Sequence, residues 1–309
     1  MAGLAEIENQ AGICRVTCGW KKPGLPLEVV RRYWRDVHSP SIARRAGIWD
    51  YRHFQYDPVA TDLFAPVAGI AFDAPEGEQL MWTSDVRYRD EAALAAFATS
   101  PPADILPGIL GDINLIVDQS TPYNASGPHG FTIKDTTGEA TPQGLPGVPT
   151  YQLFFRRRGD DDAGFRAALA ELATAWALDP GVLRVRLSLL DAPDMEAERR
   201  SGYPIKTHPV ELQYQAWIDL VAQTRGAARE LLAAIPRLAD HVATIHAYPV
   251  TTLCTFNYAG HPTLVGLRGY PAWDAMRGLG GYHQAQPDIL EWMYGDVAKG
   301  AVLPAEAMR

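Results

Sequence analysis

Twice along this chain the apolar pattern passes through the same series of periods. Alternation marks a strand with one buried face, and a 3.6-residue repeat marks a helix with an apolar stripe. The first series runs strand Ile13–Trp20, a helix from Leu27, strand Trp49–Tyr56, strand Gln79–Tyr88, helix Asp90–Thr99 and strand Asn114–Ser120. The second runs Tyr151–Arg157, helix Gly164–Ala177, Val182–Leu190, Glu211–Val221, helix Arg225–Ile235 and Thr244–Leu253. The order β-α-β-β-α-β is the split ferredoxin-like unit. One such unit leaves a sheet face bare, and two in one chain can bury those faces against each other. The expected fold class is therefore α+β, two tandem ferredoxin-like units forming a pseudo-dimeric α+β barrel.

The segments between these elements complete the expected plan. Residues 1–12 read as a loose lead-in, and Asp57–Glu78 as a long loop that could be a lid or pocket wall. Pro122–Gly147 reads as a linker rich in Gly, Thr and Pro. Asp191–Pro209 reads as a loop with a helical piece at Asp194–Arg200, and the tail as two short helices around Ala272–Arg277 and Pro287–Tyr294. The expected domains are 1–145, carrying the active site, 146–256, a degenerate second unit, and 257–309, a tail packing on the body.

Composition excludes several classes. The 309 residues are 47% apolar with a net charge of −8, which argues against nucleic acid or an anionic membrane surface as partner. No apolar run approaches a membrane-spanning length, and the start has no signal-peptide pattern. Three cysteines, Cys14, Cys18 and Cys254, make neither a disulfide framework nor a zinc site, so a reducing cytoplasm is the expected location. The expected assembly is a monomer with an internal pseudo-dimer, or a homodimer.

The richest stretch is Leu27–Tyr56. Val30, Trp34 and His38 fall at i, i+4 and i+8 on one helical face, and Val29, Tyr33 and Val37 widen that stripe. Ser39 as N-cap and Pro40 at the first helical position predict a helix break at His38. Trp49, Tyr51 and His53 then alternate on one strand face. His38 is the main catalytic candidate, since an imidazole exchanges protons near neutral pH. Tyr51 and His53 are the next, a phenol being able to donate to a developing oxyanion. Trp34, Trp49 and Trp82 suit a flat aromatic ligand, and equally a hydrophobic core. Asp50 and Asp85 fall on the opposite strand parity, towards a barrel interior. No metal is expected, because no His-x-His, His-x-x-x-His or Cys-x-x-Cys spacing occurs.

The run Tyr33-Trp34, His38-Ser39-Pro40, Ala46-Gly47 and Trp49-Asp50-Tyr51 resembles the EthD-type family of dimeric α+β barrels. The resemblance covers roughly 35 residues. It implies chemistry on hydrophobic, often aromatic or polyketide-like, molecules. The second unit has Leu172–Pro180 at the corresponding place, with Trp176 but no histidine. One functional pocket, in the first unit, is expected.

These readings lead to a cofactor-independent lyase of dehydratase or elimination type, with His38 moving the proton and Tyr51 or His53 steadying negative charge. A cyclase or isomerase on the same substrates is the runner-up. An oxidative enzyme, cofactor-free or using haem on His38, is a further alternative. So is a non-catalytic small-molecule-binding or stress protein.

Overall fold

Two four-stranded antiparallel sheets share one strand order. The computed structural model describes residues 3–125, 127, 130–194, 196, 207–233 and 235–308. In the first unit β1 (Ile13–Lys21), β2 (Ile48–Tyr56), β3 (Trp82–Tyr88) and β4 (Val117–Asn124) lie in the order β4-β1-β3-β2. After β5 (Gly130–Asp135) and the short β6 (Gln143–Gly144), the second unit repeats the arrangement. Its strands are β7 (Thr150–Arg157), β8 (Val182–Leu189), β9 (Ala216–Ala222) and β10 (Val242–Tyr258), in the order β10-β7-β9-β8. This is the tandem ferredoxin-like α+β barrel.

Two strands close the ring. β10 is 17 residues long; its first half pairs with β7 and its second half with β2. On the other side β5, which follows β4 directly, pairs with β8. A sheet edge carries unpaired N–H and C=O groups, and these two seams satisfy them. The expected linker therefore contains a ladder strand, and the last strand does not stop at Leu253.

Other boundaries shift for local reasons. The expected fourth strand begins with a helical turn, Ile113–Ile116, and β4 starts only at Val117. Burial at Ile113, Ile116 and Val117 has helical spacing, which alternation alone does not reveal. Residues 210–212 form a short 3-10 turn, so β9 begins at Ala216. Most of the helical piece expected at Asp194–Arg200 lies outside the described residues.

Two groups of buried side chains occupy the lumen. One part is aromatic and apolar, with Phe54, Tyr56, Phe154, Tyr214, Trp217 and Tyr248 packed beside Cys18. The other part is an ion network on inward-facing parity: Asp50 and Arg52 of β2, Asp85 and Arg87 of β3, Arg184 and Arg186 of β8, Asp219 of β9. Its hub comes from the segment read as a loose lead-in. Leu4–Glu8 forms a short helix, and Glu8, 1% exposed, reaches Arg52 at 2.5 Å, Arg184 at 3.0 Å and Arg186 at 2.6 Å. Thr132 of β5 donates to it at 2.6 Å. Burial alone would raise the Glu8 carboxyl, but the three guanidiniums and Thr132 hold it well below the usual carboxylate range.

Helices cover the outer faces. In the second unit the 17-residue α-helix Asp162–Leu178 buries Phe165, Leu169, Leu172, Ala173 and Trp176 against its sheet. The loop Asp57–Glu78 does not wall the first unit's pocket; it turns to this layer, where Leu63 and Ile70 join the core.

Candidate active site in the first unit

The helix carrying His38 does not break. Leu27–Tyr33 continues through a π-helical turn, Trp34–His38, into Ser39–Ala43, and Ser39 has ordinary helical angles and donates to Trp34 O. Pro40 explains the turn. In a continuous α-helix its ring would collide with the carbonyl of Asp36, and it offers no N–H. Widening one turn relieves that clash without a break. The result keeps Val30, Trp34 and His38 buried at 1%, 3% and 4% exposure, as the spacing implied. Val29 and Val37, read as part of the same stripe, are 50% and 52% exposed and face outward.

His38 and Trp34 form one wall of a cavity of about 290 Å³ between these helical turns and the outer face of the sheet. Tyr51, Ser84 and Val86 form the sheet side, and Leu94, Phe97, Leu106 and Leu110 form a largely apolar far wall. Those last residues come from the helices Glu91–Thr99 and Leu106–Gly111. The Trp34 ring lies 4.2 Å from that of His38 and 4.5 Å from that of Trp82. Trp82 is held in the sheet layer because Gly19 leaves it room: a Cβ there would lie 2.1 Å from the indole.

The partner of His38 was not legible in the sequence. Asp112, between two helical turns, accepts from Nδ1 with its carboxylate oxygens at 3.0 and 3.1 Å. This contact fixes Nδ1 as the protonated nitrogen facing the carboxylate. Nε2, which has no hydrogen-bond partner among the described residues, is left for a ligand. Asp112 follows the helix Leu106–Gly111 as a single polar residue with no periodic signal, so one sequence could not have linked it to a histidine 74 positions earlier.

The other sequence-chosen residues divide. Tyr51 lines the cavity and donates to Ser39 Oγ at 2.9 Å, with its ring stacked on Phe256 at 5.1 Å. His53 shares the Tyr51 face but is fully buried beneath the helix and does not line the cavity. Burial, then the charges of Arg35 and His38, pushes its imidazole down to about 3, so it stays neutral. Trp82 lies behind Trp34 and also stays off the lining. Trp49 is turned away. The register of β2 against β3 shifts between Ile48 and Asp50, and Trp49 sits at that bulge, donating to Ile7 O at 3.0 Å. The bulge breaks the alternation that put it with Tyr51. Asp50 and Asp85 point into the lumen, as their parity required, where they pair with arginines. The tail packs around Phe256, Leu264 and Leu267, and none of its described residues lines this cavity.

Among the described residues no group of three or more His, Cys, Asp or Glu side chains could hold a metal ion. The His38–Asp112 pair has the donor chemistry of an axial haem ligand. Yet 290 Å³ is at the small end of ligand pockets, about 300–1,000 Å³, and a four-pyrrole macrocycle does not fit. Among the described residues no helix is long and apolar enough to cross a membrane.

No protein-family profile matches the chain, and neither does any curated protein sequence. Among solved structures, it is similar to a provisionally named monooxygenase from Fusobacterium nucleatum subsp. nucleatum, at 12% identity and a TM-score of 0.48, over 82% of this chain and 97% of that one. It is similar to an anthrone oxidase-like protein at 11% identity and 0.45, over 79% and 92%. It is also similar to a dye-decolorizing peroxidase from Bacteroides thetaiotaomicron at 11% identity and 0.41, over 79% and 93%. These likenesses assign no family and no reaction.

Proposed function

We propose that this chain is a cofactor-independent enzyme that removes a proton from a small hydrophobic carbonyl or phenolic compound, with elimination as the outcome: a lyase of dehydratase type. Cyclisation or isomerisation of the same intermediate is the runner-up. Membership of the EthD-type family belongs to the same proposal, as does a division of labour in which the first unit works and the second supports it. The observation that carries the reading is His38 on the wall of a largely apolar cavity, with its Nδ1 held by Asp112.

The chemistry follows from that pair. Nε2 accepts the proton from carbon next to the carbonyl, and the electron pair moves to oxygen as an enolate. Asp112, receiving the Nδ1–H bond, orients the ring and stabilises the imidazolium that forms. The enolate then expels hydroxide from the β-carbon, and His38 returns its proton to that leaving group as water. Trp34 offers an aromatic face to the substrate body. Tyr51 assists the oxyanion only by exchanging its bond to Ser39, so its contribution is smaller than that of His38.

Proton exchange tests this directly. The α-hydrogens of 2-tetralone, a small aromatic ketone, would be followed by NMR in heavy water with wild type and His38→Ala. The expected result is catalysed exchange that falls about 10²- to 10⁴-fold in the variant. Full exchange by folded His38→Ala would overturn the reading. Oxygen uptake with no exchange would transfer the site to oxidative chemistry.

A further inference from the structure

The His38 cavity is charged at one end only. Two guanidiniums, those of Arg15 on β1 and Arg45 just after the His38 helix, are half-buried in its lining. No Asp or Glu among the described residues lines it. In a chain with net charge −8 a cationic end to an apolar pocket is not what composition alone would place there. Arg45 is fixed: it donates to Phe97 O from Nε at 3.2 Å and Nη2 at 2.8 Å, and its guanidinium lies 3.6 Å over the Phe97 ring. Those two bonds leave Nη1 uncommitted by them. Both arginines act on the buried hydroxyl of Tyr88, where burial pushes the phenol up and the two positive charges pull it down. Tyr88 itself lines the cavity, so both charges act on the same part of its lining. Arg15 pairs across the ladder with Val86, and Thr17 with Ser84, so this side of the cavity is a sheet surface that holds its residues in register.

We propose that the site takes substrates bearing a carboxylate, held at the Arg15–Arg45 end while the carbon that loses its proton lies towards His38. The substrate class is thus a hydrophobic aromatic or polyketide-like acid in its ionised form. Guanidinium matches carboxylate geometry, and in an apolar surround such a bond is stronger than in water. Apolar walls recognise the body of the molecule and the arginines fix its direction. This rests on the reading of the His38 cavity as the ligand site.

Binding of matched probes tests it without turnover. Isothermal titration would compare 2-naphthoate with 2-naphthamide, which has the same rings and no charge. The naphthoate is expected to bind about 10- to 100-fold tighter. Arg15→Gln and Arg45→Gln should each cut that ratio by roughly tenfold, with naphthamide affinity unmoved. Equal binding of the two wild-type probes, or no measurable naphthoate binding, would overturn the proposal without any variant. So would an unchanged ratio in both folded variants. His38→Ala separates this from the catalytic reading. If it loses 2-tetralone exchange but wild type shows no carboxylate preference, only the substrate proposal fails. If it keeps exchange while the preference persists, only the acid–base proposal fails.

Discussion

The two helix–sheet layers start from one element order and end differently. The second is packed solid: an uninterrupted 17-residue helix meets the sheet with Phe165, Leu169, Leu172 and Trp176, and the Asp57–Glu78 loop adds Leu63 and Ile70. In the first, Pro40 forces a π turn into an unbroken helical run, and a cavity opens beside His38. Close packing is the default for such a layer. A cavity lined by a histidine whose Nδ1 is held by a carboxylate is a departure from it. From one element order, the two layers come to differ by one proline and by the His38–Asp112 pair.

Paired substitutions break that comparison most sharply. His38→Ala should cost about 10²- to 10⁴-fold in α-proton exchange and little stability. Trp176→Ala should do the reverse, losing about 3–5 kcal/mol in denaturant unfolding with exchange per folded molecule unchanged. Activity lost in both would mean that the layers are not separate in function. Glu8→Ala tests what joins them. It strands the buried guanidiniums of Arg184 and Arg186, and about 3–5 kcal/mol should be lost in the same assay. A shift below 1 kcal/mol would show that water replaces the carboxylate easily. Asp112→Asn keeps the shape but weakens a charged hydrogen bond, and exchange should fall about 10- to 100-fold.

A further effect is in pH. The imidazole of His53 is pushed down to about 3 when folded, against roughly 6.5 in the unfolded chain. Between those values the unfolded state binds the extra proton, so stability falls as pH drops from about 6.5 towards 3, by at most about 1.4 kcal/mol per unit. His53→Gln should flatten that slope in acid unfolding. An unchanged slope would place the acid sensitivity elsewhere.

Much of this layout was legible in the chain because periodicity reports burial. Alternation at Cys14, Val16 and Cys18 and helical spacing at Val30, Trp34 and His38 each named a buried face correctly. What periodicity could not report was anything depending on a distant partner. Glu8 lies in a short segment with no pattern of its own, yet it is buried because arginines from both units meet it. β5 is a strand because the edge of β8 needs pairing. Trp49 broke the alternation through a bulge, and Asp112 reached His38 through tertiary contact alone. The π turn was half legible: Pro40 and Ser39 signalled an irregularity, but a break and a widened turn share that signal.

The measurement closest to the central claim is the ring-nitrogen NMR spectrum of histidine-labelled protein at mildly alkaline pH, with His38→Ala to assign the signal. The Nδ1 proton of His38 should face Asp112, and Asp112→Asn should disturb that contact. Adding 2-naphthoate should shift its Nε2 resonance and leave His246 and its Tyr214 contact unmoved. A His38 proton on Nε2, or an Nε2 resonance that ignores the ligand, would contradict the claim that this nitrogen is the base.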